Sequence, residues 1–67
     1  MVPIQLNGES KQVEDGLTLT KLLETLSVNQ YTVAVERNEI VVRRAELGTT
    51  KIEPGDRIEI VRILGGG

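Results

Sequence analysis

The last four residues of the sequence, Leu64-Gly65-Gly66-Gly67, present the one group whose chemistry stands out. A terminal α-carboxyl group, with a reference pKa of ~3.3–3.7, is ionised at neutral pH. As a carboxylate it resists nucleophiles until one oxygen becomes a good leaving group. Joining it to AMP as a mixed anhydride achieves that, and a sulfur, nitrogen or oxygen nucleophile then displaces the AMP. Glycine suits this step, because no branched Cα shields the carbonyl carbon. Residues without a Cβ also pass through a channel too narrow for any other side chain. Fully extended, the four residues span about 13 Å. Type and spacing therefore point to a protein whose own C-terminus is the reacting group, activated inside a partner enzyme. The plain alternative is a frayed chain end or a leftover glycine scar.

The rest of the composition removes competing chemistry. The 67 residues include no cysteine and no histidine. That excludes disulfides, thiol nucleophiles, imidazole bases and zinc sites built on Cys or His. No acid–base constellation can be assembled from what remains, so the expectation is a covalent co-substrate and not an enzyme, with no metal and no bound cofactor. A chain of this length is one small domain, burying only ~60% of the surface its unfolded form exposes. It has no room for a deep substrate cavity. Eight Lys/Arg against ten Asp/Glu give a net charge of −2, and Tyr31 is the single aromatic residue. Nucleic-acid binding is not expected from that balance. Arg37, Arg43, Arg44, Lys51, Arg57 and Arg62 all follow Tyr31, but six acids share that half, which reads as a solvated mixed-charge surface. No apolar run approaches the ~20 residues of a membrane helix. The N-terminus has neither the basic start nor the apolar stretch of a secretory signal. The expectation is a cytoplasmic protein, monomeric when alone.

A tail can act only if something holds its root. Val2, Ile4 and Leu6 alternate with Pro3 and Gln5, and Asn7-Gly8 supplies a tight hairpin turn. A return strand is predicted over Ser10–Val13, closed by Asp15-Gly16. The period then changes. Leu19, Leu22, Leu23 and Leu26 form the stripe of an amphipathic helix, with Thr18 as its N-cap. Lys21 stands where a capping box would place Glu or Gln, so the cap is incomplete. Val33 and Val35 return to period two, Asn38-Glu39 reads as a turn, and Ile40–Val42 as a partner strand. Residues 45–56 read as irregular and polar, with Leu47 and Ile52 as anchors under a loop. Pro54-Gly55-Asp56 is a turn, with Gly55 at the positive-φ position. Ile58 and Ile60 then point inward, Arg57 and Glu59 outward. The order is strand, strand, helix, strand, strand, strand: one helix and one sheet around a single core. The last strand is the most β-branched and is placed centrally, parallel to the first. That is an α+β, ubiquitin-like β-grasp arrangement: a mixed five-stranded sheet over residues 1–64, followed by a glycine tail at 65–67.

Four blocks carry a resemblance to a known family. They are "IQLNG" (Ile4–Gly8), "DGLTLTKLLETL" (Asp15–Leu26), "VAVERNEIVVRR" (Val33–Arg44) and "PGDRIEIVRILGGG" (Pro54–Gly67). Together they resemble the ThiS/MoaD family of ubiquitin-like sulfur carriers, in its thiamin-biosynthesis branch. The last two blocks are the more distinctive. The segment Arg44–Ile52 and the polar return strand match least. The resemblance implies that a ThiF-like adenylyltransferase uses ATP to adenylate the carboxylate of Gly67. Sulfur, taken from cysteine through a desulfurase persulfide, then converts it to a thiocarboxylate. A ThiG-like thiazole synthase receives that sulfur. Gly66 completes the diglycine, and Gly65 and Leu64 belong to the threaded tail.

The family further implies docking through an apolar patch on the sheet face beside the tail. Val61 and Ile63 have the opposite parity from Ile58 and Ile60 and are the candidates; the alternative is that they complete the core where the alternation slips. Three other readings stay open. The nearest is the small subunit of molybdopterin synthase, and the tRNA-thiolation carrier related to ubiquitin stands further off. In a different class is a ubiquitin-like module that binds partners without reacting.

Overall fold

The computed structural model describes residues 1–63. The tail residues Leu64, Gly65, Gly66 and Gly67 lie outside the described residues. Five strands and one helix follow in the order β1 (Val2–Leu6), β2 (Glu9–Val13), α1 (Leu19–Thr25), β3 (Val33–Arg37), β4 (Ile40–Val42) and β5 (Arg57–Arg62). Short 3-10 turns at Gln30–Thr32 and Arg44–Glu46 complete the elements.

The first hairpin follows from its turn. Asn7 and Gly8 take φ values of 51° and 83°, the positive pair that matches the twist of the flanking strands. A two-residue turn leaves no unpaired residue, so Leu6 pairs directly with Glu9. β2 therefore begins one residue before the predicted Ser10.

The leucine stripe forms α1, with Leu19, Leu22 and Leu23 buried and Leu26 half-buried at the C-cap. The Thr18 side chain accepts a hydrogen bond from the Lys21 backbone N–H at 3.2 Å, the cap expected. Two further N–H groups of the first turn are satisfied from a distant loop: Leu19 donates to Thr50 O and Thr20 to Leu47 O, each at 3.1 Å. Thr18→Ala is expected to cost about 1 kcal/mol. That corresponds to a fall in Tm of roughly 4–8 °C in a domain this small, read from thermal melting by circular dichroism.

The segment 45–52, read from sequence as an irregular loop, is more ordered than that. Leu47 and Ile52 are buried as expected. Between them, however, the Thr49 and Thr50 hydroxyls donate to Glu46 O, closing the 3-10 turn. The segment's carbonyls cap α1, so its shape is set by the helix it serves.

The sheet order is β2-β1-β5-β3-β4, with β1 and β5 parallel and the other neighbours antiparallel. The last strand is central, as its composition predicts. Gly55, at φ +85°, donates its N–H to Pro3 O at 2.7 Å, which seats the turn on β1 and aims β5 along it. One face of the sheet covers α1, with Ile4, Val13, Val33, Val35 and Ile58 in the core.

Candidate functional site at the root of the tail

β5 is the strand that carries the tail, and it is fixed at three levels. At its start Asp56 is only 5% exposed. Its carboxylate accepts hydrogen bonds from Arg37 Nε at 2.7 Å, Asn38 Nδ2 at 3.0 Å and the Glu53 backbone N–H at 2.8 Å. Asn38 also bonds the strand itself: its N–H donates to Arg57 O, and its Oδ1 accepts from Arg57 N. Burial pushes the Asp56 carboxyl up. The hydrogen bonds from Arg37, Glu53 and Asn38, with the guanidinium charge, outweigh that and hold it below the ordinary value. Midway along, the Asn7 side chain accepts from Ile60 N at 2.8 Å, so the first hairpin turn extends the β1–β5 contact. At the far end Ile63 N donates to Thr32 O at 2.9 Å. The tail therefore leaves from an anchored point.

Sequence reasoning passed over Asp56 as a turn residue. A weak signal was present: "VERN" and "PGDR", parts of the two distinctive blocks, contain the residues that bond each other.

The sheet face turned away from α1 is apolar beside the tail root. Val61 is 50% exposed and Ile63 44%, which excludes the alternative that they complete the core. Pairing adds two residues that the sequence did not single out. Ala34 lies opposite Val61, and Val41, 62% exposed, lies opposite Glu36 one row away. Ile63, Val41 and Ala34 share a groove of about 160 Å³ with Gln30, Arg43 and Arg44. Arg44 is held in place by stacking over Tyr31, 5.0 Å from the ring centre, and by donating from Nε to Gln30 O at 3.3 Å. Leu64, Gly65, Gly66 and Gly67, the expected reacting tail, are outside the described residues. Among the described residues, no group of three carboxylates is placed to hold a metal ion. No described helix is long and apolar enough to cross a membrane.

A mixed five-stranded sheet, with a parallel β1–β5 pair at its centre and one helix across it, is a ubiquitin-like β-grasp domain. Comparison with known proteins gives the particular group. The profile of the ThiS family matches residues 4–67, and the chain belongs to that family. The crystal structure of the thiamine biosynthesis protein ThiS from Geobacter metallireducens superposes with a TM-score of 0.86 at 33% identity, covering 98% of this chain and all of that one. The sulfur carrier protein ThiS of Thermus thermophilus is 36% identical over 64 residues, covering 96% of this chain and 98% of its own length. A thiazole synthase from Magnetococcus marinus is 45% identical over 64 residues, again 96% of this chain. This chain spans about a fifth of the length of that synthase and of a second one from Paramagnetospirillum magneticum.

Proposed function

We propose that this protein is a sulfur carrier of thiamin biosynthesis. The carboxylate of Gly67 attacks the α-phosphorus of ATP within a ThiF-like adenylyltransferase, and pyrophosphate leaves. The outer sulfur of a desulfurase persulfide, drawn from cysteine, then displaces AMP, which departs with one of the original carboxylate oxygens, and leaves an acyl persulfide. A thiol attacks the enzyme-side sulfur of that bond, forming a disulfide and releasing the thiocarboxylate, so that two thiols supply the two electrons. The resulting thiocarboxylate is delivered to a ThiG-like thiazole synthase. In this scheme ATP belongs to the partner, and the carrier contributes the acyl group, not catalysis. Gly66, Gly65 and Leu64 thread the partner's channel, while Val61 and Ile63 dock against its mouth.

The observation that carries this reading is the family match, which runs through Gly67. The anchoring of β5 up to Ile63 supports it, since a fixed root limits the positions that a short tail can sample. The thiazole synthase of Magnetococcus marinus contains a segment 45% identical to this chain. That favours thiazole over molybdopterin as the destination of the sulfur.

Intact mass spectrometry tests the proposal. Incubation with ATP, cysteine, a cysteine desulfurase and the ThiF-like enzyme should raise the mass by about 16 Da, one oxygen replaced by sulfur. A Val61→Asp variant, with its core untouched, should melt like the parent and gain the mass at least about tenfold more slowly. No mass gain by the parent protein would overturn the proposal.

A further inference from the structure

We infer that the open sheet face is charge-ordered, and that it docks a protein partner bearing acidic groups around its tail channel and a basic side chain beyond the apolar row. The inference rests on the carrier reading above and adds to it the polarity and orientation of the docking.

Two consecutive arginines after β4 stand beside the tail root. Arg43 and Arg44 line the groove that Ile63 enters, whereas Arg62, paired with the buried Val33 and lying beside Ser27 and Asn29, belongs to the opposite face. Among the described residues neither Arg43 nor Arg44 is in a salt bridge. The next row on the open face is apolar, with Val61 opposite Ala34. The row after it carries an acid pair, Glu36 and Glu59 directly opposite each other on neighbouring strands, with Val41 on the far side of Glu36. Like charges in that arrangement destabilise a sheet. Among the described residues neither carboxylate is in a salt bridge, and the sequence Leu64–Gly67 contains no cationic side chain. Arg57, one step further along β5, is engaged by Glu39 at 3.6 Å.

A chain of net charge −2 thus presents a basic collar, an apolar band and an acid pair in sequence along one face. A polyanion laid along this face would meet Glu36 and Glu59. A protein surface of reversed order, acidic at the channel mouth and basic beyond the apolar contact, complements every row. Such ordering speeds association and fixes the rotation of the carrier about its tail. The repulsion of the acid pair, unrelieved in the free carrier, is relieved by the partner's cation.

The test is stopped-flow association with the ThiF-like adenylyltransferase, together with thermal melting of the free carrier. Arg43→Glu combined with Arg44→Glu should lower kon about 10- to 100-fold at low salt, with the difference shrinking at high salt. Glu59→Lys should raise the Tm of the free carrier by about 1–5 °C and yet weaken the complex about tenfold. Lys11→Glu, the same charge change on the remote β2 edge, should leave kon within about twofold. An unchanged kon in the arginine variant, or a Glu59→Lys carrier that is more stable and binds as well as the parent, overturns the inference. So does an equal loss in Lys11→Glu. The parent's mass gain, run in parallel, separates the two proposals. If the parent never gains sulfur the carrier reading falls, whereas a reacting parent with indifferent arginines sinks the docking polarity alone.

Discussion

A chain lacking Gly67 is expected to melt at the same temperature as the parent and to form no thiocarboxylate. The stability should not change, because the core residues lie between Ile4 and Ile58. The last strand is still held at Ile63, by its bond to Thr32 O. The chemistry should change completely. Deleting one extended residue withdraws the carboxylate by about 3.3 Å. A misplacement of about 1 Å can already cost about 10²-fold in rate. The anchored root prevents the strand from sliding forward to make up the distance. Gly67→Ala keeps the reach but adds one methyl beside the reacting carbon, and is expected to slow adenylation by roughly 10- to 200-fold, the range for one extra methylene-sized group. Intact mass over time reads both variants. A truncated chain that acquires sulfur at the parental rate would mean that Gly67 is not the reacting residue.

The second large effect is on folding and falls at the opposite end of the same strand. Asp56→Ala leaves the Glu53 N–H without its acceptor and strips Arg37 of its partner at 2.7 Å. It also frees the Asn38 side-chain amide. Breaking such a network is expected to cost about 2–4 kcal/mol, below the extreme for buried pairs because Arg37 is partly exposed. A domain of this length has only about 3–10 kcal/mol in total. Urea denaturation should therefore show the variant's midpoint well below the parent's, at an unchanged slope. Asp56→Asn keeps one oxygen to accept from Arg37 Nε and the Glu53 N–H, but it turns an NH2 towards the Asn38 amide and loses the ion pair, and should fall between the parent and the alanine variant.

The same carboxylate gives the acid response its sign. Its folded pKa lies below the ordinary aspartate value, so near and below that value the unfolded chain binds more protons than the folded one. Its contribution is complete above about pH 4, the ordinary range for an aspartate, and declines as the pH falls towards the lower folded value. Urea midpoints measured from pH 6 downward should drop in the parent. In Asp56→Asn they should drop less over that window. Parallel curves for the two proteins would show that Asp56 does not carry the acid sensitivity.

How much of this was readable beforehand depends on the distance over which each feature is decided. The hairpin at Asn7-Gly8, the leucine stripe of α1, the Thr18 cap and the Gly55 turn were legible. Each depends on φ preferences or side-chain period within a few residues, and those are properties of the residue types themselves. Even the central position of β5 followed from its unbroken run of β-branched residues. Val61 and Ile63 could be named because strand parity is local, but their exposure could not, since a slip of one residue would have buried them.

Composition and short-range periodicity suffice for the five strands, the helix, their order and the chemical identity of the tail. Which distant residues meet is settled by the assembled sheet. Arg37 reaches Asp56 across 19 positions, and Asn7 reaches Ile60 across 53. Val61 finds Ala34 and Glu59 finds Glu36 through a single strand register. Arg43, Arg44 and Arg62, which looked like part of a mixed-charge surface, gather at one end of the sheet because antiparallel pairing brings the end of β4 beside the end of β5, across the first residues of β3. Register is selected by the burial of one whole face at once, a property of the assembled sheet that no window of the chain contains.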